Sequence, residues 1–329
     1  MNRGPSHAGK LPAWERTVFG LVFALMAAFV VAVTVSAAHS SRGGLPAGAG
    51  LPDSLAAPGS PDGTAPGGRA PGPAAGQAEA GAATSSRGRA SLDRQLARAL
   101  RLQEAGHLGH IAVGVIDLGT GAEATYGARR KFAAASVMRA DILAALLLRH
   151  QQAGTSLTDP EAQLAVPMIE TSDDEAASRL WQLVGAGPAV AAANLRLGLS
   201  HTIPDPAGNW GRSRTTVADQ LRLLTDLTAA TSPLTAQSRD YELGLMEDVE
   251  PGQDWGVCAV ASPGTGCAVK DGWLTDQDRW VVNSIGVVEH AGHRLLLAVL
   301  SDHEATKAAG VARISAAVRA AAQVMTEQP

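Results

Sequence analysis

The chain has 329 residues, 27 Lys and Arg against 31 Asp and Glu, and a net charge of −4. Its basic residues are scattered rather than clustered, which excludes the electrostatic footprint of a nucleic-acid-binding protein. The length leaves room for one large domain plus accessory segments. Residues 1–16, with Arg3, Lys10 and Arg16, read as a cytoplasmic tail ahead of an uncharged apolar run over 17–38. Twenty-two helical residues rise roughly 33 Å, enough to cross a bilayer core. Preceding positive charge orients such a segment with the N-terminus inside, so the rest of the chain is expected to be extracytoplasmic. The competing reading is a cleaved signal peptide ending at Val35-Ser36-Ala37, which would make the protein secreted. No Cys follows the run, so a lipid-modified Cys is not expected as the anchor. Residues 39–90 come next, and 32 of positions 41–90 are Gly, Ala or Pro. Such a composition buries too little apolar surface to offset ordering entropy, and predicts a disordered linker.

A folded domain is expected over 91–329. Ser91-Leu-Asp-Arg94 opens an amphipathic helix, with Leu92, Leu96 and Leu100 on one face. His110–Leu118 alternates and is rich in β-branched residues, and Gly119-Thr-Gly121 turns it into a second strand near Ala122–Tyr126. Ser136–Gln152 reads as a buried helix stopped by Gly154. Residues 157–250 read as mostly helical, and strands are expected near 255–260, 267–273, 280–288 and 293–301. A last helix starts near Glu304. This order implies an α+β fold: a mixed antiparallel sheet flanked by the terminal helices, with an all-helical lobe beside it.

Three motifs carry chemistry. Ser136-Val-Met-Arg139 opens the buried helix, Ser172-Asp173-Asp174 sits in the helical lobe, and Lys270-Asp271-Gly272 lies on a C-terminal strand. Thr215-Thr216 and Asp219-Gln220 fall between the second and third. In order and spacing they resemble the S-x-x-K, S-D-N and K-T-G motifs of class A β-lactamases and penicillin-binding proteins, each altered. The resemblance covers most of 91–325 and implies that family's β-lactamase/transpeptidase-like fold and serine hydrolase chemistry.

Under that resemblance Ser136 is the nucleophile, at a helix N-terminus where unpaired N–H groups favour developing negative charge. Position 139 is one turn on and faces back toward Ser136. A Lys there could accept the hydroxyl proton, whereas Arg139 stays protonated and cannot. Ser172 would pass the proton to the leaving atom and Lys270 would relay through it, with Asp173 bracing the loop. The N–H groups of Ser136 and Trp273 would form the oxyanion hole, and Gly272 would keep the strand edge bare. Asp174 replaces an Asn, and Asp271 replaces a hydroxyl residue that helps bind a substrate carboxylate, so Asp271 is expected to repel one. Arg139, Asp174, Asp271 and Lys270 could close into one paired network.

Class A β-lactamases deacylate with a Glu on an Ω loop. Residues 186–216 contain no Glu, and Asp205 is their one acid, so efficient β-lactam hydrolysis is not expected. Cys258 and Cys267 flank the turn Pro263-Gly-Thr-Gly266, and an exported domain would let them form a disulfide; the alternative is two reduced buried thiols. His290 and His293 read as a solvated hairpin turn, and no metal or cofactor is expected. The expected ligand is a cell-wall peptide or a β-lactam-like or ester small molecule. Two functions follow: a membrane-anchored serine hydrolase with weak acyl transfer through Ser136, or a non-catalytic domain that binds a cell-wall peptide or protein partner in the same cleft.

Overall fold

The computed structural model describes residues 73–104 and 109–327. The apolar run 17–38 and linker residues 39–72 lie outside the described residues. Among those described, no helix is long and apolar enough to cross a membrane. The first helix, α1, spans Pro73–Glu104 and starts well before Ser91, inside the segment expected to be linker. The Ala content that lowers hydrophobicity there is also the strongest intrinsic helix former.

Five strands build the sheet: β1 (Ile111–Asp117), β2 (Glu123–Tyr126), β5 (Cys267–Asp276), β6 (Arg279–His290) and β7 (His293–Glu304). Their order is β2-β1-β7-β6-β5, and every pairing is antiparallel. A two-residue ladder joins β3 (Phe132–Ala133) to β4 (Arg214–Thr215). Residues 255–260 are not a strand. Gly256–Val260 form a 3-10 turn, with Gly256 at φ 60°. A Cβ on Gly256 would lie 2.3 Å from Ser284 Oγ, so the chain presses onto β6 instead of pairing beside it.

Strand alternation divides the core. Val113, Val115, Leu297 and Val299 face α1 and the last helix, α8 (Lys307–Thr326), meeting Leu96, Leu100, Ile314 and Val318. Ala112, Leu296, Ala298 and Leu300 face the helical lobe. That lobe contains α2 (Met138–Ala153), α3 (Asp159–Glu170), α4 (Asp174–Val184), α5 (Ala186–Arg196), α6 (Val217–Thr228) and α7 (Ala236–Glu247). Helix α6 lies so close to β1 that a Cβ on Gly114 would meet Val217 and Leu221 side-chain carbons at 2.5 Å. Every residue from Met138 to Leu148 is buried. Each fully buried Leu or Ile there contributes about 1.5–3 kcal/mol of transfer free energy. Helix α2 stops at Gly154, which takes the left-handed conformation (φ 67°) that a β-carbon disfavours.

Candidate active site

Ser136 sits in a 3-10 turn, Ala135–Val137, that runs straight into α2. Ala135 before it has φ 50°, uncommon for a residue with a side chain and a form of local strain found where geometry is imposed from outside. The imposing contacts are visible. Asn283 on β6 donates to Ala133 O (2.9 Å) and Ala134 O (3.0 Å), and Ala134 N donates to Ser213 O (2.8 Å). Helix α2 is therefore fed from a turn tied to both the sheet and the 210–215 segment. Strand β5 passes directly over Ser136. A Cβ on Gly272 would fall 2.7 Å from Ser136 N and 2.8 Å from Val137 N, so only Gly fits.

Two residues earlier on the same strand face, Lys270 is fully buried and its Nζ donates to Ser172 Oγ at 2.5 Å. Burial, and then the positive charge of Arg139, pull the Lys270 ammonium down to about 7, against the opposing pull of Asp271 and Glu250. Ser172 is held at φ 55° between α3 and α4. Its loop is fixed by Asp173, which caps α4 by accepting from Ala176 N at 2.7 Å, and by Gln253, which donates to Thr171 O at 3.1 Å.

Among the described residues, the Arg139 side chain hydrogen-bonds the Ser172 loop and Asp174 rather than Ser136. It is fully buried, and its Nη2 donates to Ser172 O (2.9 Å) and to Asp174 Oδ1. Its guanidinium carbon lies 4.5 Å from the centroid of Trp210. Nε and Nη1 are buried with no hydrogen-bond partner among the described residues. Asp174, by contrast, is 86% exposed on its side chain, so the pair is screened by water at one end.

Asp271 departs from expectation. Alternation along β5 turns it away from Lys270, to the sheet face that also carries Trp273. It is fully buried beside Ser284 and the backbone of Trp255, with neither carboxyl oxygen in a hydrogen bond of good geometry. Burial raises its pKa well above the ordinary carboxylate value. Its side chain faces the side of the sheet opposite Lys270, and it does not join Arg139 and Asp174 in one network. Lys307 covers the Trp273 ring on that face, with Nζ 3.1 Å from its centroid.

The opening above Ser136 is a cavity of about 220 Å³, lined among others by Asp174, Asn209, Trp210, Arg212 and Trp273. Asn209, Trp210, Arg212 and Asn283 were not singled out from the sequence. The polar run Asn209-Trp-Gly-Arg212 is the signal the sequence carries for this part of the cleft. Asp205 accepts from Asn209 N at 3.1 Å as a turn acceptor. Cys258 and Cys267 are joined in a disulfide, which ties the 3-10 turn to the start of β5.

Residues 160–325 match the family described as the Beta-lactamase enzyme family. The chain belongs to this family. Among named relatives, the mycobacterial protein "Putative lipoprotein LppW" from Mycobacterium tuberculosis is 27% identical over 221 residues, 64% of this chain and 68% of its own. The fold matches a class A β-lactamase from Bacteroides cellulosilyticus with TM-score 0.63 and 15% identity, covering 72% of this chain and 99% of that one. It also matches the acyl-enzyme complex of a PBP-A variant with penicillin G, with TM-score 0.63 and 19% identity, over 71% and 97% of the two chains. At those identities the likeness is one of fold. In this member of the family both cysteines lie in the disulfide, with no free cysteine among the described residues.

Proposed function

We propose that the domain is a serine acyl-transfer enzyme in which Lys270, not position 139, is the base. The observation that carries this reading is the buried Lys270 ammonium at 2.5 Å from Ser172 Oγ with its pKa pulled to about 7. A lysine of that kind is neutral part of the time near neutral pH and can take a proton. Ser136 Oγ attacks a carbonyl carbon, and its proton passes through Ser172 to Lys270. The N–H groups of Ser136 and Trp273 receive the oxyanion, and the relay returns the proton to the departing nitrogen or oxygen. The product is an ester on Ser136, released slowly because the 186–216 segment offers no Glu to activate water. The substrate class is a cell-wall peptide or a β-lactam-like or ester small molecule. Residues 17–38 would hold the 91–329 domain at the membrane outside the cytoplasm, and the lipoprotein name of the relative supports that side.

Intact mass after incubation with a penicillin and with an activated ester tests the reading. A single adduct, absent from Ser136→Ala and strongly slowed in Lys270→Met, is expected. The pairing of buried Arg139 with exposed Asp174 at the cleft favours a second reading, a cleft that binds without reacting. Saturable binding of a cell-wall peptide with no adduct from either reagent would favour it.

A further inference from the structure

A cluster apart from the cleft has the composition of a metal site. His110 precedes β1, and Asp302 and His303 lie near the end of β7, where Asp302 N donates to His110 O at 3.1 Å. Ligand-type atoms of the three side chains lie within 4.8 Å of one another. We propose that His110, Asp302 and His303 bind one divalent transition-metal ion of the zinc type, with the remaining coordination positions open to water.

Four features support the assignment. First, Asp302 Oδ1 is crowded. It accepts His110 N–H at 2.8 Å, and His110 Nδ1 and His303 Nδ1 lie 3.1 and 3.2 Å away. With the imidazole protons on Nε2, both Nδ1 lone pairs face the same carboxylate oxygen, an arrangement that a cation between them would stabilise. Second, the spacing fits. With metal–ligand bonds of about 2.0–2.1 Å, tetrahedral ligand atoms stand roughly 3.3 Å apart, close to the separations seen. Third, the fold imposes the arrangement. His303 is held at φ 56°, and a Cβ on Gly109 would come within 1.8 Å of Asp302 O. Fourth, the two imidazoles are 49% and 60% exposed, so an ion has access and water can complete its shell. Arg313, which donates to Gly109 O, is paired with Glu304 at 2.7 Å. Two neutral imidazoles and one carboxylate suit zinc, nickel or copper better than magnesium or calcium. The bound ion would clamp the entry of β1 to the end of β7.

The test uses the full chain without a polyhistidine tag, with Zn²⁺ as the probe in equilibrium dialysis and Co²⁺ as a spectroscopic reporter of coordination. Expected are one Zn²⁺ per chain, an intense visible Co²⁺ spectrum, and an affinity loss of at least about tenfold in His110→Ala and in His303→Ala, since even supporting residues of metal sites cost that much. His201→Ala, a surface control, should bind like wild type. Circular dichroism verifies that each variant is folded. No saturable Zn²⁺ uptake by wild type would overturn the proposal. So would undiminished uptake by the folded His110→Ala/His303→Ala double variant.

Discussion

If Lys270 is the base, acylation of Ser136 must follow its titration, and Arg139 must tune that titration. A lysine at its ordinary value of 10.5 would be neutral in about one molecule in a thousand at pH 7.5; one at about 7 would be neutral in roughly three quarters. The site thus gains on the order of 10³ in available base, within the usual range of ~10²–10⁴ for general-base help. Acylation by an activated ester should therefore rise through pH 7 and level off above about pH 8. The Arg139 charge is the largest cause of the depression after burial. Arg139→Met removes it, so Lys270 should hold its proton longer and the midpoint should move to higher pH. The readout is the adduct on Ser136 by mass spectrometry over time at each pH, with Ser136→Ala as the blank. A wild-type profile that is flat from about pH 6 to 9 would refute the role of Lys270 as base. A midpoint unmoved in folded Arg139→Met would refute the electrostatic role of Arg139.

Other consequences follow from buried groups. Asp141 is fully buried on α2, donated to by Gln220 at 3.2 Å, and burial raises it from 3.8 to about 7. The folded state keeps a proton that the unfolded chain releases, so this group makes stability fall from pH 4 to 7, by roughly 4 kcal/mol in all; Asp141→Asn should flatten that slope in denaturant titrations, and equal slopes would count against it. Gly272→Ala forces a carbon onto the backbone of Ser136 and Val137. It should cost about 1–3 kcal/mol and slow acylation by on the order of 10²; wild-type acylation would mean β5 does not position the nucleophile. Reducing Cys258–Cys267 opens a loop of sequence separation 9 and should cost about 2–3 kcal/mol, read as a shift in thermal midpoint. In a cycle built from Arg139→Lys, Asp174→Asn and Asp271→Thr, the first two should be non-additive in acylation rate and the third additive with either; coupling of Asp271→Thr as strong as that between the first two would restore the single-network reading.

Much of the frame was legible because it rests on local rules. The period-2 pattern of β1 and β7, the Gly119-Thr-Gly121 turn and the Gly154 stop each report a backbone requirement through residue type. The 255–260 segment failed because Val257-Cys-Ala-Val260 alternates no more clearly than a strand or a turn would, and what decides it is Ser284 on a distant strand. The cleft was half legible. The motifs located Ser136, Ser172 and Lys270, but the stacking of Trp210 on Arg139 joins residues 71 positions apart with no pattern to announce it. Asp271 was legible in principle, because adjacent strand residues face opposite sides.

The altered motifs divide into two independent changes. Arg139 and Asp174 touch each other and share the Ser172 loop, so neither can be understood singly. A lysine at 139 would end short of that loop and lie near Lys270 with a second labile proton. An arginine spans to Ser172 O and stays charged, which braces the loop and depresses Lys270 together. If Lys270 is the base, the basic function moves from the helix to the strand, and an acid at 174 serves as the partner of a permanent cation. Asp271 answers to a different environment, the Trp255, Ser284 and Lys307 side of the sheet. Burial raises its carboxyl there well above the ordinary carboxylate range, and it stands behind Trp273 apart from the Arg139 and Asp174 pair. Under the proposed role of Lys270 the cleft departs from its family's motifs in where the base stands, while Ser136, Ser172 and the bare strand edge at Gly272 keep their places.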